Sequence, residues 1–300
     1  MTPPAPPSTA PDSSIRTILV TVSGSPNDRS VLEAAITTAR LLRAHLQVLF
    51  VQIDPEQIAL LVGAGDPMGT AGLGPMIEEL MKDGERREAC AQESFEATCR
   101  QSGVPVGAAE PDGASAEWMA VPGIDTACVP AIARAADLLL FVRPESREDA
   151  PVHLWQAALL ACGKPILLLP PGPNGGLQGT AAIAWKDTPE AARAITAAMP
   201  LLGRADRVLI MTVDEGTEQQ SEAARRLVAG LRRHNPATSL LALRPDGREP
   251  AEVLLAEAGK QGIGLLVMGA YGHSRARETV FGGFTRTILR DAKLPVLMLH

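Results

Sequence analysis

The sequence predicts an α/β protein made of two tandem doubly wound domains, each built on a five-stranded parallel sheet. Its 300 residues match the length of about two average domains. Short apolar runs alternate with helical segments along the chain, which is typical of parallel strands joined by crossover helices. The same succession of segments occurs twice, and each copy ends in an apolar run preceded by a proline, Ile166–Leu169 and Val296–Leu299.

The predicted strands are short, and several contain no polar residue. That continuity is expected of strands covered by helices on both faces of a sheet. The strands of the first copy are Ile15–Val22, Leu46–Gln52, Val104–Ala108, Leu138–Val142 and Ile166–Leu169. Those of the second copy are Ala181–Trp185, Val208–Val213, Ser239–Leu243, Ile263–Met268 and Val296–Leu299.

A helix is predicted after the opening strand of each copy. Asn27–Ala44 has apolar residues at helical spacing. In the second copy Thr188 is the predicted N-cap, with Pro189 at the first helical position and Glu190 in the positively polarised first turn. The core-facing residues of that second helix are predicted to be Ala192, Ile195, Met199 and Leu202.

These patterns also predict domain boundaries. Residues 1–14 are rich in Pro, Ser, Thr and Ala and predict a disordered tail. The first domain is expected at 15–170, a Pro- and Gly-rich linker at 171–179 and the second domain at 180–300. The first copy is longer because of an insertion at about 53–85. The Gly-rich part of that insertion, 53–75, is interpreted either as a surface insertion or as a mobile lid.

Composition and charge restrict the function. A formal net charge of −6 argues against a nucleic-acid partner, which usually requires a basic face. No apolar run approaches the ~18 residues that span a bilayer, and the N-terminus lacks the features of a signal peptide. A cytoplasmic location without a membrane partner is therefore predicted. Cysteines and histidines lack metal-ligand spacing, so no metal site is predicted, and the cysteines are expected to be buried in a reducing compartment: Cys90, Cys99, Cys128 and Cys162.

One segment has the features of a phosphate site. A predicted strand runs directly into Gly269 and Gly272, nine residues follow, and Gly282 and Gly283 then open an apolar-periodic helix. Glycine at a strand end lets a ligand approach the backbone, and glycines at a helix start leave amide groups available to an anion. In a doubly wound sheet, ligands bind at the carboxyl ends of the strands. The loop adds basic side chains that can face phosphate oxygens: His273, Arg275 and Arg277.

The whole pattern, G-x-x-G-x9-G between a strand and a helix, resembles the universal stress protein family. Nucleotide-binding members of that family carry G-x-x-G-x9-G-(S/T) at this place. The resemblance covers nearly the whole chain as two tandem copies, and it includes Ala184–Thr188 and the Arg193-Ala194 pair. It implies a stress-response regulatory protein that binds ATP or a related adenine nucleotide, with or without Mg²⁺, through the second domain.

The resemblance carries further expectations. The domains should be adenine-nucleotide alpha-hydrolase-like, with flavodoxin-like layering, and their terminal strands should pair into a pseudo-dimer. A protein partner or a homodimer stays open. Phosphate and ribose contacts would fall on Gly269, Ala270, Gly272, His273, Gly282, Gly283, Phe284 and Thr285, with Arg275 added as a phosphate partner. Adenine and ribose contacts would fall near Ala184, Lys186, Asp187 and Val213.

Some residues depart from the family pattern. Gly283 stands where the pattern has Ser or Thr, with Thr285 as a partial replacement, and Lys186 stands where the family tends to place Asp. The first copy has Arg143–Arg147 after its fourth strand and no GxxG, so no nucleotide is expected there.

Three functions therefore stay open: an adenine-nucleotide-binding regulator, a nucleotide-independent scaffold and a slow nucleotide hydrolase. The sequence contains no Ser-His-Asp order, no Gly-Lys-Ser/Thr ending of a P-loop and no HExxH. No catalytic residue is assigned for this reason.

Overall fold

The computed structural model describes residues 15–54, 74–107, 113–146, 151–172, 177–213, 218–270 and 283–300. These ranges contain ten strands and eight helices. The strands are β1 Thr17–Val22, β2 His45–Ile53, β3 Ser115–Gly123, β4 Leu138–Val142, β5 Ile166–Leu169, β6 Thr180–Ala184, β7 Arg207–Val213, β8 Thr238–Leu243, β9 Ile263–Gly269 and β10 Val296–Leu299. The helices are α1 Asp28–Leu42, α2 Gly74–Ser102, α3 Asp125–Ala133, α4 Val152–Ala161, α5 Pro189–Leu202, α6 Glu218–Leu231, α7 Pro250–Lys260 and α8 Gly283–Asp291.

All ten strands form one sheet in the order β3-β2-β1-β4-β5-β10-β9-β6-β7-β8. Within the first half, β1–β5, and within the second half, β6–β10, neighbouring strands are parallel and follow the same doubly wound order. The halves meet where β5 and β10 pair in antiparallel fashion, with Leu297 opposite Leu167. This confirms the predicted α/β class and the predicted pairing of the terminal strands.

The sheet is buried on both faces because helices cover each side. One core cluster includes residues of α1, α2, α5 and α6, and the other includes residues of α3, α4, α7 and α8. Each cluster extends across both halves, and every residue of β5 and β10 is buried. The cores are aliphatic, as expected of a chain in which aromatic residues make up only 3%. Burial on both faces explains why these strands read as continuous apolar runs.

One strand prediction was wrong. Val104–Ala108 was expected to be the third strand, but within that segment the described residues contribute only an isolated bridge from Val106 to Ala116. The third strand is Ser115–Gly123, which lies at the edge of the sheet; β2 is the one strand that it pairs with in the described residues, apart from the bridge at Ala116. An edge strand tolerates polar residues and a proline such as Pro122, because one side of its backbone needs no ladder partner. Its sequence therefore lacks the apolar continuity that identified the other strands.

Two burial predictions also need correction. In α5 Ala192 is exposed and Met199 is only half-buried, since the core-facing stripe is shifted to Ala191, Ala194, Ile195, Ala198, Leu201 and Leu202. Among the cysteines, Cys99 and Cys162 are buried as expected, whereas Cys90 is exposed and Cys128 is half-buried.

The insertion of the first half is partly visible. Helix α2 has 29 residues, against 14 in α6, the corresponding helix of the second half. Most of the Gly-rich stretch lies outside the described residues, so its interpretation as a lid stays a prediction. In the described part of the chain, no helix combines the length and apolarity needed to cross a membrane.

The start of α5 has the predicted cap. Thr188 has extended backbone angles, and its hydroxyl accepts a hydrogen bond from the amide of Ala191 at 3.3 Å. Pro189 follows at the first helical position, where its missing N–H costs nothing. This cap fixes the first turn of α5, which borders the candidate site.

We expect Thr188→Ala to lower the free energy of unfolding by about 1 kcal/mol, because the first turn loses its capping acceptor. Urea denaturation followed by circular dichroism measures the change. Thr196→Ala is the matched control, since Thr196 lies on the exposed side of the same helix and its hydroxyl bonds only to the Ala192 carbonyl. An equal loss in both variants would contradict the capping role.

Candidate functional site

The carboxyl ends of β6, β7 and β9 lie side by side in the second half. Ala184, the last residue of β6, is in register with Met211 of β7 and with Met268 of β9. Ala184 and Val213 are half-buried, whereas Lys186 and Asp187, just beyond β6, are exposed. The sheet therefore brings the predicted adenine and ribose residues to the edge where parallel α/β sheets bind ligands.

Gly269 ends β9 in close contact with the first turn of α5. A Cβ at this position would lie 2.7 Å from the carbonyl carbon of Glu190 and 2.9 Å from the Cα of Ala191, and it would also meet the amide nitrogen of Ala191. These are backbone atoms, so the neighbour cannot move aside cheaply. Packing against α5 thus accounts for this glycine before any ligand is considered.

Ala270 has its backbone groups occupied. It is fully buried, its amide donates to the carbonyl of Leu299 at 3.0 Å, and its carbonyl accepts from Nδ1 of His300 at 3.0 Å. An amide already bonded within the sheet is not available to a phosphate oxygen. Among the described residues, the anion-binding donors must therefore come from elsewhere at this edge.

The start of α8 supplies such donors. Gly283 is exposed, and no atom of the described residues lies within 4 Å of the place where its Cβ would be. The first amides of a helix have no intrahelical partner and carry the positive end of the dipole. Phe284 is half-buried against the core, and Thr285 is only 5% exposed. Residues two apart do not share a helix face, so the buried Thr285 is a poor substitute for a hydroxyl at position 283.

The remaining members of the predicted phosphate site, Gly272, His273, Arg275 and Gly282, lie in 271–282, outside the described residues. Within the described part of the chain, no cluster of three or more His, Cys, Asp or Glu side chains could hold a metal ion.

In the first half, α2 covers the corresponding edge. Gly24 lies just after β1, as Lys186 and Asp187 lie just after β6. A Cβ on Gly24 would lie 2.6 Å from the Cα of Arg87 in α2. Next to it, the Gln52 amide donates to the Glu88 carboxylate at 2.9 Å. The edge that is exposed at Lys186 in the second half is therefore packed against a helix here.

An acidic residue that the sequence reasoning missed closes this turn. The Asp28 carboxylate accepts hydrogen bonds from the amides of Ser23 and Gly24, at 3.1 and 2.7 Å. Burial raises the pKa of Asp28, and these hydrogen bonds oppose the shift. Its position four residues after a Ser-Gly turn was the available signal.

Comparison with known proteins identifies the class. Residues 183–300 match the model of the universal stress protein family. This segment of the chain is thus similar to that family, and it contains every predicted nucleotide contact. No curated protein matches the chain in sequence.

Solved structures extend the likeness in fold to nearly the whole chain. A universal stress protein from Archaeoglobus fulgidus DSM 4304 has a TM-score of 0.67 at 14% identity, over 94% of this chain and 95% of that chain. A candidate universal stress protein from Pseudomonas aeruginosa UCBPP-PA14 has a TM-score of 0.56 at 17% identity, over 96% and 94%. Both halves thus share the fold of this class.

We expect Gly269→Ala to lower the free energy of unfolding by about 1–3 kcal/mol, because the added methyl group overpacks the contact with α5. Gly283→Ala is the control at the other described glycine of the motif, where the Cβ enters open space, and it should retain wild-type stability. Chemical denaturation of the nucleotide-free protein gives both values. A fully stable Gly269→Ala would show that the close contact with α5 does not constrain this position.

Proposed function

We propose that this chain is a regulatory protein of the universal stress type that binds ATP or a related adenine nucleotide at the carboxyl edge of its second half. The observation that carries the proposal is the family match over 183–300, which includes all the candidate contacts. We further propose a cytoplasmic role in stress response, and two structural units at 15–170 and 180–300 joined by 171–179.

The geometry of the described residues supports an anion at α8. The described part of the helix begins at an exposed glycine, so a phosphate can approach the first described amides without an intervening side chain. Ala270 cannot contribute its amide, so this proposal takes its backbone donors from the start of α8. The phosphates are therefore placed against Gly283 and Phe284 in this proposal.

The charges after β6 suit the rest of a nucleotide. Asp187 is exposed beside the half-buried Ala184, where a carboxylate can accept hydrogen bonds from a ribose diol. Lys186 is also exposed and supplies a cation for phosphate oxygens. Mg²⁺ binds through one or two carboxylates together with substrate phosphates, and among the described residues Asp187 is a carboxylate at this edge that can serve it.

A specific observation favours a second function, a nucleotide-independent scaffold. Packing within the protein accounts for Gly269 and for both backbone groups of Ala270. Gly269 would therefore be required even in a chain that binds no ligand, and the Ala270 amide would be occupied in either case.

Isothermal titration with ATP, ADP and AMP separates the two functions. The regulator is expected to bind at micromolar to millimolar nucleotide with about one site per chain, because α2 covers the corresponding edge of the first half. Mass spectrometry of ligand released from the denatured protein gives an independent readout. The scaffold function is supported if titration gives no heat, if millimolar nucleotide does not compete and if the melting temperature stays unchanged.

A substitution that tightens ATP binding tests more sharply where the phosphates bind. Gly283→Ser places a hydroxyl at the start of α8, in space that the described residues leave open. One added hydrogen bond to a phosphate should tighten ATP binding about three- to tenfold. Gly283→Ala is the matched control, since it adds the Cβ without the hydroxyl. Equal affinities of the Ser and Ala variants would place the phosphates elsewhere.

A further inference from the structure

The side chain of Arg143 connects the two halves. Arg143 directly follows β4 of the first half, where its amide donates to the Leu169 carbonyl at 2.8 Å. Its side chain is buried, with 8% of the residue exposed, and Nη1 donates to the carbonyl of Ala292 at the C-terminal end of α8. The guanidinium of the first half thus caps the helix whose other end is the proposed phosphate site.

This buried cation is costly. Within the described residues, Nε and Nη2 of Arg143 have no hydrogen-bond partner. Burial lowers the pKa of Arg143 to about 10, and the nearby Asp291 carboxylate opposes the shift, so the side chain is charged at neutral pH. Unsatisfied donors on a buried charge are destabilising. An apolar side chain of the same length would pack here without that cost.

Among the described residues, the equivalent position of the second half makes no matching contact. Ala270 takes the position of Arg143 in the second half, since its amide bonds to Leu299 of β10 as that of Arg143 bonds to Leu169 of β5. Its methyl group cannot reach the end of α4, the helix of the first half that corresponds to α8. Arg143 of the first half thus bonds to the end of α8, whereas Ala270, at the same position of the second half, has no side chain that could make this bond to α4.

We infer that Arg143 is a positioning residue for the nucleotide site, which it serves by fixing α8 from the opposite end. A cation at a helix C-terminus stabilises the last turn through the helix dipole and through hydrogen bonds to the final carbonyls. Helix α8 has nine residues, so at a rise of about 1.5 Å per residue its ends are only about 13 Å apart. Displacement of one end therefore displaces the amides at Gly283. This inference rests on the nucleotide site proposed above.

The experiment compares Arg143→Met with Arg290→Met in the full chain. Both changes remove a cation near the end of α8, but Arg290 is exposed and bonds to Asp291 within the same helix. We expect Arg143→Met to weaken ATP binding about fivefold or more, and Arg290→Met to change it by less than about twofold. Arg143→Lys retains the charge and a donor, and should recover part of the lost affinity. Equal affinities of wild type and Arg143→Met overturn the inference.

Amide hydrogen exchange supplies a readout that a merely structural role would not move. Since coupling between two sites is reciprocal, ATP should slow exchange at the Arg143 amide in the wild type and not in Arg143→Met. Loss of ATP binding without this difference counts against positioning. If Arg143→Met does not fold, Arg143→Lys is compared with wild type by the same two measurements, and unchanged values in both overturn the inference.

Failure of the Arg143 inference can be distinguished from failure of the proposed nucleotide binding. If the wild type binds no ATP, the proposed function fails, and Arg143 is then judged on exchange in the nucleotide-free protein. Faster exchange of the α8 amides in Arg143→Met, with α7 unaffected, supports the positioning of α8 by Arg143. Unchanged exchange in α8 rejects it.

Discussion

The antiparallel pairing of β5 with β10 is the interaction on which the rest of the molecule depends. It joins two parallel sheets into one sheet of ten strands and allows each core cluster to extend across both halves. Both strands are buried along their whole length, so neither could be exposed without leaving apolar residues and unpaired backbone groups in water. This one pair of strands thus stabilises both halves at once.

Because that pairing is antiparallel, the carboxyl edges of the two halves face in opposite directions. The C-terminal end of α8 consequently lies next to the carboxyl edge of the first half, where Arg143 meets it. The two halves also differ in whether a helix covers their carboxyl edge. A long helix closes the first at Gly24, and Lys186 and Asp187 are exposed in the second. Duplication of one fold has given one covered edge and one accessible edge.

The sequence was sufficient for the architecture because burial leaves a strong pattern. Buried parallel strands and the Thr188 cap were located almost to the residue, whereas β3 was missed because an edge strand does not need an apolar run. The glycine motif was found, but the partner of Gly269 was not, since the contact with Glu190 and Ala191 joins segments distant in sequence. The burial of Arg143 against Ala292 depends on the pairing of the two halves. Local spacing carries no signal for such contacts.

The connection between β5 and β6 runs only from Leu169 to Thr180. Two separate polypeptides would associate through such strands to an extent set by their concentration, and they could exchange partners. Tethering replaces that dependence with a fixed, high effective concentration. The covered half and the accessible half consequently stay together on dilution, and every molecule has the same composition whatever its abundance in the cell.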